Sequence, residues 1–222
     1  NNPDSNVTLT EEYFAAAFPE PTQILGVALR PFSVGHMMLL QWMGNPFVCG
    51  GNPTVEDLAT AIWICSLPFA ESLAALRTGK IEIIERGRWK TRRRTLPVSK
   101  AFARWQKLIG DFDIADKAKE FAQYLTRGTA TPEVAATEHG RERDAGAPVP
   151  AVQAVKISLM SKLHLREEEI MDRPWAISLW DCYSFAAQEG ALKFMDREEL
   201  AAAQASADEL QRKIDAGLFK LP

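Results

Sequence analysis

The chain of 222 residues carries 26 lysines and arginines against 29 aspartates and glutamates, for a formal net charge of −3, with 46% apolar and 25% charged residues. That length suits one large domain or two small ones and is enough to bury a substantial core. The balanced charge excludes a global pull toward nucleic acid or anionic membrane, and the long apolar stretches are broken by Gly, Pro or charge well short of a membrane span.

The first residues, NNPDSNVTLTEEYF, lack a basic and apolar leader, so no secretion signal is expected. Cys49, Cys65 and Cys182 are odd in number, far apart and set in apolar surroundings. That usage predicts reduced, buried thiols in a reducing compartment.

In chain order, Thr8 and Thr10 before Glu11 and Glu12 offer a hydroxyl cap and an acidic first turn for a short helix over Tyr13–Phe18, which Pro19 stops. Thr22–Arg30, TQILGVALR, is the best strand candidate, as a small hairpin or an extended arm. Pro31 ends it and Ser33 can cap a helix from Val34 to about Met43. Gly44-Asn45-Pro46 and Gly50-Gly51-Asn52-Pro53 are breakers that leave Phe47–Cys49 as a short apolar turn. Thr54 with Asp57 forms a capping box for the next helix. Val55, Leu58, Ala59, Ile62 and Cys65 mark one face of it, and Trp63 and Ile64 extend the apolar surface nearly all round, which predicts a central, buried helix.

Pro68 ends or kinks that helix, and Phe69–Leu76 continues toward Gly79. Lys80–Arg94 is ambiguous between helix and strand. Pro97 and Ser99 open a helix with Phe102, Trp105, Leu108 and Ile109 apolar. Asp113 can cap the following one, whose stripe is Ile114, Ala118, Phe121, Ala122 and Leu125, closed by Gly128. Residues 129–150, rich in Gly, Pro and charge, read as a linker or long surface loop. Beyond it, Val152, Val155, Leu159 and Leu163 define a helix. Pro174 starts another, with Trp175, Leu179, Cys182, Tyr183 and Ala186 on one face and Ser178, Asp181, Ser184 and Gln188 on the other. After the apolar connector 191–195, Leu200, Ala203, Ala207, Leu210 and Ile214 alternate steps of three and four, a seam for one neighbouring helix.

No constellation in this order carries chemistry. His36, His139 and His164 are scattered, and no metal-ligand spacing, nucleophile elbow, phosphate loop or dinucleotide fingerprint is present. His36 reads as a structural histidine on an apolar helix. Glu167–Glu169 point to different sides of a helix and read as a solvated acidic face. No catalytic residue, cofactor or metal is expected. The one polar feature with a specific alternative is RGRWKTRRR, with Arg86, Arg88, Lys90, Arg92, Arg93 and Arg94 around Trp89. Such a segment can neutralise phosphates and stack a base, or be a solvated loop that meets acidic protein surface, the reading the acidic chain favours. Trp180 lies off the main stripe of its helix, either as an interface anchor or on a second buried face.

Two Trp-bearing blocks carry a resemblance. LRPFSVGHMMLLQWMGNPFV with VEDLATAIWICSLPFAESL, and later RPWAISLWDCYSFAAQEGAL, resemble tail assembly chaperones of tailed bacteriophages and prophages. These segments cover less than a third of the chain, their motifs are structural, and Arg86–Arg94 has no counterpart. The resemblance implies a non-enzymatic assembly factor in the cytoplasm of the bacterial host. Its partner would be the tape-measure or tail-tube protein, with a homo-oligomer as a further candidate and nucleic acid and membrane disfavoured. A groove for an amphipathic helix would be required, to which Met37, Met38, Trp42 and Met43 could contribute adaptable contacts, although ordinary core packing also accounts for them. A structural tail or neck protein retained in the virion is the alternative in the same biology, and a nucleic-acid-binding regulator using residues 86–94 is the alternative from another class. The expected fold is mainly α: a multi-helix bundle in two lobes, 31–128 and 151–222, joined by 129–150 and preceded by a helix and a short hairpin or extended arm over 1–30.

Overall fold

A computed structural model describes residues 3–86, 91–97, 114–137, 149–195 and 197–216. The fold is mainly α. Ten helices are described: α1 (Pro3–Ala17), α2 (Val34–Trp42), α3 (Pro46–Cys49), α4 (Val55–Ser66), α5 (Phe69–Thr78), α6 (Ile114–Gly128), α7 (Ala151–Leu163), α8 (Glu167–Asp172), α9 (Trp175–Gln188) and α10 (Arg197–Asp215). Three two-stranded antiparallel ribbons accompany them: β1 (Thr22–Ile24) with β2 (Val27–Leu29), β3 (Lys80–Arg86) with β4 (Thr91–Pro97), and β5 (Val134–Ala136) with β6 (Leu192–Phe194).

Local chemistry sets most boundaries. TQILGVALR folds as the hairpin, its two-residue loop Leu25-Gly26 held at φ 54° and 74°. Two left-handed residues in succession match the twist of a tight hairpin, and glycine takes the second without a Cβ penalty. Ser33 Oγ accepts from His36 N at 3.2 Å and caps α2. Thr54 and Asp57 cap α4 reciprocally, Thr54 N donating to Asp57 Oδ2 at 2.8 Å and Asp57 N to Thr54 Oγ1 at 3.2 Å. Asn45 caps α3 through Phe47 N and donates its amide to Asp57 O at 2.9 Å, which ties the Asn-Pro turn to the start of α4.

Helix α4 is central, with Leu58, Ala59, Ala61, Ile62, Trp63, Ile64 and Cys65 all buried. Around it pack α2, with Leu39 and Leu40, and α6, with Phe121 and Leu125, and the same cluster extends through Val155 and Leu159 of α7 to Ile170 and Met171 of α8. Side chains from both sides of residues 129–150 therefore share one core. Helix α8 packs chiefly on α2, and α7 packs on both α9 and α2.

The two Trp-bearing blocks are joined directly. Ser33 and Pro174 form an antiparallel bridge, in which Val34 N donates to Arg173 O at 3.0 Å and Trp175 N to Phe32 O at 2.7 Å. Asp172 Oδ1 accepts from Phe69 N at 2.9 Å, at the start of α5.

Other expectations are corrected. Helix α1 begins at Pro3, so Thr8 and Thr10 lie inside it and not at its start. Within the segment 80–94, residues 80–86 and 91–94 are strand in the β3–β4 ribbon, and residues 134–136, expected as loop, pair with the expected connector at 192–194. The buried face of α9 is Trp175, Ala176, Ile177, Ser178 and Trp180, whereas Leu179, Cys182, Tyr183 and Ala186 are half-buried. Ser178 tolerates this because its hydroxyl donates to Pro174 O at 2.8 Å. Cys65 is buried and Cys182 half-buried, but Cys49 is exposed; all three are free thiols. The helix expected after Pro97 lies outside the described residues.

His36 is the structural histidine the sequence suggests. Its Nδ1 accepts from Ser33 N at 3.2 Å and its Nε2 donates to Leu67 O at 2.9 Å, an arrangement that fixes the neutral tautomer. Burial pushes its pKa below the usual value, outweighing the opposite pull of the Leu67 carbonyl. The unfolded chain therefore takes up a proton that the folded site refuses. This contribution to stability is complete above about pH 6.5 and is lost as pH falls through the lowered pKa. The urea midpoint is expected to drop between about pH 7 and pH 5, with a slope of at most about 1.4 kcal/mol per pH unit from this group. A His36→Gln chain is expected to be less stable but flatter over that interval; an unchanged slope would contradict the assignment.

Candidate functional site

A groove of about 810 Å³ lies between α1, the β1–β2 hairpin, the C-terminal end of α6 and α9. Its floor comes from residues far apart in sequence: Leu29 and Phe32 after the hairpin, Tyr124 on α6 and Trp180 on α9. Glu12, Glu20, Arg30 and Arg127 contribute charge to its lining.

Several contacts hold this floor. Tyr124 Oη donates to Arg30 O at 2.8 Å while Arg30 N donates to Cys65 O at 2.9 Å, so the segment after the hairpin is fastened to both α6 and α4. A Cβ on Gly128 would stand 2.6 Å from Phe32 Cβ, so only glycine lets the end of α6 come down on the floor. Arg127 pairs with Glu20 at 3.7 Å and reaches Thr22 Oγ1 at 3.4 Å, bracing the connection between α1 and the hairpin. Both contacts are exposed and add little to stability.

From Trp180, which lines the groove, an aromatic run leads out to Phe18, which also lines it, through rings that lie outside the lining. Trp180 stacks on Phe194 at 5.8 Å between centroids and meets the edge of Tyr13 at 5.7 Å, while Tyr13 meets Phe14 at 5.8 Å and Phe14 stacks on Phe18 at 6.2 Å. Trp180 is 6% exposed and is covered by α1 through Ala16, but Phe14 and Phe18 are 52% and 75% exposed. Residues four apart share one helix face, so α1 uses Ala16 to anchor itself and presents two phenyl rings to solvent.

Burial pushes the Cys65 thiol up to about 12 and the neighbouring Tyr124 hydroxyl well above its ordinary range, so neither supplies an anion near neutral pH. Among the described residues, no group of three or more His, Cys, Asp and Glu is arranged to hold a metal ion. Glu167, Glu168 and Glu169 are exposed at the start of α8, where Arg166 holds the Glu169 carboxylate below its usual pKa, chiefly through its backbone N–H. His164 ends α7 in a left-handed conformation and is exposed, and His139 lies outside the described residues.

The expected contact residues do not converge here. Of Met37, Met38, Trp42, Met43 and Trp180, only Trp180 lines the groove, as a buried wall and not as an exposed anchor. Met37 and Met38 are half-buried against the core, whereas Trp42, 68% exposed, and Met43 form a separate apolar end of α2. Of the basic segment, Arg86 lies on β3 and Arg92, Arg93 and Arg94 on β4, paired in register with Glu85, Ile84 and Ile83; Arg88 and Lys90 lie outside the described residues. The sequence reading missed Phe14 and Phe18, although two phenylalanines four apart on a helix ending in Pro-Glu-Pro were available as a signal.

No protein-family model, no curated protein and no solved structure matches this chain. Among the described residues, no helix is long and apolar enough to cross a membrane.

Proposed function

We propose that this chain is a non-enzymatic phage tail assembly factor that holds a helical segment of a tape-measure or tail-tube protein in the groove beside α1, in the cytoplasm of the bacterial host. The observation that carries the reading is an apolar floor flanked by the exposed ring of Phe18, on which the exposed ring of Phe14 stacks. Single exposed apolar residues are ordinary. Two stacked phenyl rings beside an apolar recess form a surface for an apolar helix face, the usual helix-in-groove mode of recognition. The resemblance of the two Trp-bearing blocks to tail assembly chaperones supplies the class of partner.

Co-expression with tape-measure and tail-tube proteins tests the proposal. Co-purification with either product, together with absence from finished particles, is the expected result. Persistence in finished particles would replace it with the structural role, and failure to purify with either would remove it.

A further inference from the structure

Helix α10 stands apart from the groove. Its seam of Leu200, Ala203, Ala207, Leu210 and Ile214 is apolar at helical spacing, yet residues 201–213 are all exposed and no described element covers them. Beside the seam, Glu199 lies in the first turn of the helix and Lys213 in the last. We propose that α10 pairs antiparallel with α10 of a second copy of this chain.

The occupant follows from charge and register. Set antiparallel about a twofold axis near Ala205, the seam forms four layers, with Leu200 facing the partner's Leu210 and Ala203 facing the partner's Ala207, each repeated by symmetry. The small central residues let the two backbones approach closely while leucines close both ends. Flanking the seam, Glu199 comes opposite the partner's Lys213, while Ser206 and Gln204 each meet their own copies at the dyad. Within one chain Glu199 is already met by Lys193, and Lys213 by Glu209 at 2.7 Å, so the new pairs join existing ones and fix orientation more than affinity. The parallel arrangement instead sets Glu199 opposite the partner's Gln204, forfeits the Glu199–Lys213 pairs, and aligns the helix dipoles unfavourably. A heterologous helix would have to reproduce this charge order, which a second copy supplies by symmetry.

The seam from 200 to 210 spans only about 15 Å of helix, so the contact is smaller than a standard interface and dissociates readily, with Kd on the order of 100 μM. The inference does not depend on what the groove holds.

Sedimentation of the full chain is expected to show mass rising toward twice the monomer as concentration passes through that range. Leu210→Glu, which sets a carboxylate against the partner's Leu200, is expected to remain monomeric with unchanged helix content. In a Cys49→Ser background, Ser206→Cys is expected to form a disulfide-linked dimer under mild oxidation. Lys213→Cys is expected to link only when mixed with Glu199→Cys. A monomer at every concentration, a Leu210→Glu chain that still dimerises, or a Lys213→Cys chain that links to itself as readily as Ser206→Cys would each overturn the proposal.

Discussion

Gly35→Ala is expected to destabilise the fold by roughly 3 kcal/mol, although alanine is the better helix former. Gly35 is buried in the first turn of α2, and an added Cβ would stand 2.5 Å from Phe69 Cδ2 and 2.7 Å from the Met171 backbone oxygen. The gain from removing a helical glycine is only about 1 kcal/mol. Overpacking commonly costs about 1–3 kcal/mol and more where the obstacle cannot rotate away. The phenyl ring of Phe69 could shift, but the Met171 carbonyl cannot without moving α8. Backbone displacement should therefore dominate, and urea denaturation is expected to show a lowered midpoint with an unchanged slope. A variant as stable as the parent, or more so, would contradict the close approach of α2, α5 and α8.

Phe121→Ala is expected to cost about 3–5 kcal/mol, the range for emptying an aromatic site in a packed core. Phe121 is fully buried, with ring centroids 4.9 Å from Phe47 and 5.4 Å from Tyr124. Loss of the ring removes transfer free energy and leaves a cavity that α3, α4 and α6 cannot all close. It also loosens Tyr124, one turn along α6 and among the residues of the groove floor. Binding in the groove is expected to weaken even at temperatures where the variant stays folded. Thermal or urea unfolding measures the first effect, and a loss under about 1 kcal/mol would contradict this packing.

What the sequence disclosed follows from the range of the forces involved. Ser33, Asn45 and Thr54 cap within three residues of themselves, so their roles could be read locally and are present in the structure. Helix α4 was legible because an apolar surface all round has one physical outcome. Periodicity failed on α9, where it scores Ser178 as polar although its hydroxyl is satisfied by Pro174. It failed on Trp180 because the residues that bury this ring, Tyr13, Ala16 and Phe194, belong to α1 and β6. The groove was illegible for the same reason, as its floor brings positions 29, 32, 124 and 180 together. The cluster that joins side chains from both sides of residues 129–150 was illegible too, because it depends on which distant apolar faces find each other, as α8 finds α2.

The helix-binding groove is tested most directly by titrating the chain with helical segments of the tape-measure and tail-tube proteins and comparing it with a Phe14→Ser/Phe18→Ser double variant. Both rings are exposed, so the variant is expected to unfold within about 1 kcal/mol of the parent. Its affinity for a bound segment is expected to fall by at least about tenfold, since interface aromatics commonly carry more than about 1 kcal/mol each. Equal affinity in the two chains, or no binding by either, would contradict the account.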